Sequence, residues 1–204
     1  DCRIDIDVLD ERIGFLAIGL ARHADHHRGA GGVLEVRVLA PLALLEQMGA
    51  AQGWSVYQSD SGAVFNAEDL ARFDVVVWNN VTGDVLLPAQ REAMRAWLEQ
   101  GGGFVGLHSA GDNSHDVWPW YQHTVIRAHF IGHPLDPQFQ RATLHIEQPA
   151  DAIVAALPAT WSRTDEWYAF AKSPRAPDLR VLATIDEGTY APGSFFGKEL
   201  AMGS

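Results

Sequence analysis

Residues 73–121 read FDVVVWNNVTGDVLLPAQREAMRAWLEQGGGFVGLHSAGDNSHDVWPWY, and the fold is decided here. Residues 73–78 form a nearly continuous, Val-rich apolar run, the pattern of a strand covered on both faces. Asn79, Asn80, Thr82, Gly83 and Asp84 interrupt it. Pro88 then suits the first turn of a helix in which Met94, Trp97 and Leu98 recur at helical spacing, while Gln90, Arg91, Glu92, Arg95 and Glu99 form a wet face. Gly101, Gly102 and Gly103 end that helix. Residues 104–107 read as a second buried strand, expected at the centre of the sheet, and His108, Ser109, Ala110, Gly111 and Asp112 follow as a polar turn. Open parallel α/β sheets present their chemistry at such carboxyl ends of strands.

A residue at the apex of a strand-to-helix turn is held by backbone geometry and points into the crevice. The hydrolase elbow is written G-x-S-x-G, but Ser109 has Leu107, not glycine, two places before it. Counted from Gly106, with Ala110 as the second small residue, the apex falls on His108. The turn therefore presents an imidazole, which titrates near neutrality and can act as general base, general acid or metal ligand. Asp112 either orients that ring or caps the helix after it. Asn80 and Thr82, at the end of the preceding strand, are expected to face the same crevice and to bind substrate hydroxyls.

Strand and helix patterns alternate upstream as well. Residues 41–52 read as a helix with Leu42, Leu45 and Met48 on one face, 54–58 as a strand and 67–72 as one helical turn. This alternation predicts an α/β fold with a doubly wound, mainly parallel sheet and helices on both faces. Downstream, 116–126 reads as a helix with Trp118, Tyr121 and Val125 inward, 127–137 as a loop, 141–147 as a strand and 151–157 as a short helix. Residues 161–170 and 179–185 are strand candidates. Residues 1–32 are poorly legible; Arg22, His23, His26 and His27 there form a glycine-flanked segment whose default reading is a solvated one.

Bulk composition narrows the function. At 204 residues and 47% apolar composition, the chain is long enough for one substantial core, so a single domain over 1–204 is expected. A formal net charge of -11 argues against nucleic acid and against an anionic membrane surface, both of which demand a basic face. The single cysteine, Cys2, rules out an internal disulfide. The apolar run 13–21 is too short to span a bilayer. Localisation defaults to cytoplasmic, although the chain opens with Asp1 rather than Met, which leaves a missing leader open. The oligomeric state is open too, a homo-oligomer included.

Five blocks, GGGFVGLHSAGD (101–112), WPWY (118–121), FIGHP (130–134), TDEWY (164–168) and VLATIDEGTY (181–190), occur in the order found in the ThuA-like, trehalose-utilisation family, which the chain resembles from about residue 54 onward. The resemblance implies a fold similar to class I glutamine amidotransferases, flavodoxin-like domains whose elbow carries a cysteine. His108 replaces that cysteine, so glutamine amidotransferase activity is not expected. It also implies a site in which His108, Asp112 and Glu166 are catalytic, and Asn80, Thr82, Trp118, Tyr121, His133, Tyr168 and Tyr190 bind substrate. The substrate class that the resemblance implies is a carbohydrate, a disaccharide or oxidised sugar, handled by acid/base or metal-assisted chemistry. His108 and His133 are the candidate ligands of a divalent metal such as zinc. The family pattern continues beyond the segment matching Met202 and Gly203, so the domain is expected to be incomplete at its C-terminus. The competing reading is a non-catalytic carbohydrate-binding module of a larger protein.

Overall fold

The computed structural model describes residues 14–18, 31–112 and 117–203. The chain divides into two compact units, Asp1–Trp118 and Pro119–Ser204. The segment Arg22 to His27 and the start of the expected 116–126 helix lie outside the described residues.

The first unit holds a four-stranded parallel sheet in the order β2-β1-β3-β4, built from β1 (Gly14–Ile18), β2 (Ser55–Ser59), β3 (Val75–Asn79) and β4 (Gly103–Leu107). Parallel neighbours need crossovers, and the helices α1 (Gly31–Gln52), α2 (Ala67–Leu70) and α3 (Pro88–Glu99) lie between successive strands. Helix α1 begins ten residues earlier than the expected start at Pro41. Pro41 lies inside it. Its covered side runs through Leu42, Leu45 and buried Gly49, whereas Met48 stays 43% exposed.

Strand β3 is the buried strand its Val run predicts: Val76, Val77, Trp78 and Asn79 are all buried. Helix α3 starts at Pro88 as expected and buries Met94; the Gln90 side chain accepts from the Leu87 N–H, and Gly101, at φ 105°, turns the chain out of the helix. Strand β4 differs from expectation. It is parallel, but it is an edge strand among the described residues, and Val105 is 44% exposed. A short apolar run alone does not reveal how many neighbours a strand has.

The second unit is antiparallel, a correction to the mainly parallel reading. It contains a three-stranded sheet in the order β7-β6-β9, from β6 (Phe139–Ile146), β7 (Thr160–Glu166) and β9 (Ala183–Asp186). Two small pairs join it: β5 (Phe130–Gly132) with β8 (Ala169–Phe170), and β10 (Ser194–Phe195) with β11 (Lys198–Glu199). The physical reason is the connections. Residues 151–157, expected to be helical, are consecutive turns, so no crossover helix separates β6 from β7 and they pair as antiparallel neighbours. The expected 127–137 loop contains β5, the expected 161–170 strand breaks at Trp167 and Tyr168, and the helix around Tyr121 is a π-helical segment, Tyr121–Ile126. The molecule is thus a mixed α/β protein with small, partly parallel sheets.

Candidate functional site

In the first unit, β3 and β4 run side by side with Asn79 opposite Leu107, so the next residues, Asn80 and His108, leave the sheet together. Both have left-handed backbones, φ 58° for Asn80 and φ 51° for His108. Asparagine tolerates that region better than most residues; histidine there is uncommon, and such strain concentrates at functional turns. A 3-10 turn, His108–Gly111, carries the chain away from the apex.

The local hydrogen bonds set the imidazole's tautomer. Asn80 Nδ2 donates to Asn79 Oδ1 at 2.9 Å, which turns Asn80 Oδ1 toward His108. His108 Nδ1, 2.9 Å from that oxygen and 3.1 Å from Ser109 Oγ, is then the protonated nitrogen. In the neutral ring the basic lone pair consequently belongs to Nε2, as proton transfer requires. Thr82 Oγ1 donates to the Asp112 carbonyl at 2.8 Å and lies 3.3 Å from its carboxylate. Asp112 also ends the 3-10 turn as its C-terminal cap. The ring of Trp118 is 6.4 Å from that of Trp78 in the same unit. Asn80, read from sequence as a substrate ligand, is therefore a partner of His108; nothing in its residue type or spacing announces that, because the contact depends on strand register.

In the second unit, pairing of β5 with β8 brings two sequence blocks together, FIGHP and TDEWY. The register Gly132↔Ala169, carried one residue further, sets His133 across from Tyr168, and their rings stack at 6.0 Å and 20°. Glu166, at the end of β7, is buried with its carboxylate 3.7 Å from His133 Nδ1, and Gln138 Nε2 donates to it. His133 Nδ1 also lies 3.0 Å from the Pro134 carbonyl, so that nitrogen carries a proton. A buried carboxylate beside an imidazole brings together the two residue types that acid/base chemistry uses, and burial without polar partners would be costly.

Tyr121, 3% exposed, belongs to the core of this unit, and burial pushes its phenol well above the ordinary range. Tyr190 is pushed up to about 12, chiefly by burial and then by the charge of Glu187; its ring is 6.3 Å from Trp167. Gln140, missed in the sequence reading, fastens this region: its side chain exchanges two 2.9 Å hydrogen bonds with the Ala191 backbone. The proposed metal pair His108 and His133 is divided between the two units. Among the described residues no group of three or more His, Cys, Asp or Glu side chains is arranged to hold a metal ion. No helix among them is long and apolar enough to cross a membrane.

Residues 30–203 match the model of a family described as ThuA, trehalose utilisation. Two solved structures share the fold. A ThuA-like protein from Bacteroides uniformis superposes with a TM-score of 0.75 at 20% identity, over 95% of this chain and 74% of that one. A second, from Parabacteroides merdae, superposes with a TM-score of 0.64 at 19% identity, over 88% of this chain and 71% of that one. No curated protein matches the sequence.

Proposed function

The chain belongs to the ThuA, trehalose-utilisation family, and from that premise we propose that it acts on a disaccharide or oxidised sugar by general acid/base chemistry. The observation that carries the reading is the left-handed His108 apex, whose Nδ1 is taken up by Asn80, leaving Nε2 as the base of the neutral ring. In this reading His108 exchanges a proton with a sugar hydroxyl or with the carbon beside a sugar carbonyl, and Asn80 positions the ring. Asp112, which ends the His108 turn and accepts from Thr82 Oγ1, is assigned to the same catalytic set. Within the second unit, taken by itself, the His133–Glu166 pair is read as an acid/base couple and Tyr168, stacked on His133, as an aromatic wall for a sugar. Trp118 and Tyr190 are assigned to substrate contact on their aromatic character. We further infer that both units belong to one ThuA-like domain, since the family match runs through both, and that the flavodoxin-like arrangement is confined to the first unit, whose parallel strand order β2-β1-β3-β4 supports it.

The test is binding and turnover of trehalose and of an oxidised trehalose by the wild type, His108→Ala and Asn80→Ala. The reading expects turnover lost by His108→Ala with the substrate Kd within about threefold, and a shifted pH–rate profile in Asn80→Ala. Saturable binding without turnover in any protein would make the chain a carbohydrate-binding module instead.

A further inference from the structure

The two-residue loop between β10 and β11 carries an aromatic ring where turn chemistry asks for something else. Phe195 pairs with Lys198, so the loop is Phe196-Gly197, and both residues are left-handed, at φ 47° and φ 80°. Hairpins of this kind are normally closed by Asn-Gly or Asp-Gly, because a bulky side chain at the first position is strained. Phe196 accepts that strain and is also 87% exposed. Its neighbours Ser194, Lys198 and Glu199 are exposed and polar. A single ring in polar surroundings is far smaller than the apolar patch that marks a protein interface, but it suits one amphipathic ring of a small ligand.

That ring also lies close to the acid/base pair of the second unit. Phe196 meets Phe195 edge-on at 4.6 Å, Phe195 lies 5.6 Å from the His133 ring, and His133 lies beside Glu166. Gly132 makes this possible: a Cβ there would sit 2.6 Å from Phe195 Cγ. The exposed ring is thus two ring contacts from the acid/base pair, a separation that a disaccharide can bridge.

We propose that Phe196 is a sugar-stacking residue, its exposed face taking the apolar C–H face of one ring of a disaccharide whose other ring is held at the His133–Glu166 pair. This rests on the carbohydrate reading above and assigns a binding residue to it. The experiment is calorimetric titration of trehalose, and of an oxidised trehalose, into the wild type, Phe196→Asn and Phe196→Trp, with Tm and sedimentation coefficient measured for each. Phe196→Asn restores the pair that this turn favours while deleting the ring. The expected result is a Kd at least tenfold weaker in Phe196→Asn, with Tm unchanged or raised, and wild-type affinity in Phe196→Trp. Wild-type affinity in Phe196→Asn overturns the assignment and leaves the carbohydrate reading standing. A Tm that falls together with affinity makes the ring structural, and a changed sedimentation coefficient makes it a contact between copies; either overturns the assignment. No binding of either sugar to the wild type overturns the carbohydrate reading itself.

Discussion

His108 Nδ1 lies 2.9 Å from Asn80 Oδ1, and these two residues, at the ends of adjacent parallel strands, share a left-handed backbone. One strained residue is an outlier; two in register and hydrogen-bonded to each other are a device. The pair fixes which nitrogen carries the proton and where the ring points before any substrate arrives.

The strain at His108 can be measured apart from its chemistry. Glycine relieves a left-handed backbone and alanine does not, so His108→Gly should be more stable than His108→Ala by about 1 kcal/mol in urea unfolding. Equal stability would mean that the apex is not left-handed.

Glu166 is buried, accepts from Gln138 and faces His133. Removing the acceptor in Glu166→Ala should cost about 1–3 kcal/mol, because buried donors are left without it. Glu166→Gln keeps an acceptor oxygen and should cost less than half as much while still reducing turnover. Denaturant melts of the two variants decide; equal losses would place Glu166 outside this network.

Gly132, at φ 149°, admits the Phe195 ring where a methyl group would collide. Gly132→Ala should destabilise by about 1–3 kcal/mol, the range for overpacking. In a double-mutant cycle with Phe195→Ala, part of that cost should disappear. Strict additivity by thermal unfolding would show that the two positions do not meet.

The alkaline limit follows from the tyrosines. Burial raises Tyr121, and burial with the nearby Glu187 charge raises Tyr190 to about 12 from an ordinary 10.0. An unfolded tyrosine therefore ionises before the folded one, and the unfolded state binds fewer protons in that window. Stability should be intact below pH 10, fall between pH 10 and 12, and keep falling above it through Tyr121. Tyr121→Phe should flatten the fall in a pH series of unfolding free energies; an unchanged slope would count against the buried phenol.

Much of the first unit was legible because its signals are local. Val75 to Trp78, Pro88, Met94 and Gly101 each announce a strand, a helix start, a core contact or a helix end through their own backbone and burial preferences. The apex histidine was legible too, since the small residues Gly106 and Ala110 bracket it in sequence. Residues 139–186 misled where they did because a run of apolar residues states that a strand exists, not which neighbour it takes. Gln138, Gln140 and Phe196 were missed for the same reason: their roles arise from residues tens of positions away or from a turn conformation.

By itself, then, the sequence determined the family, the alternation of strand and helix around β3, and the identity of the residue at the apex, all of which depend on short-range pattern. Only the tertiary structure decided that Asn80 holds His108, that β5 and β8 carry His133 to Tyr168 and Glu166, and that the second unit pairs antiparallel. Strand register selects those partners, and register is a property of two segments that no single segment contains.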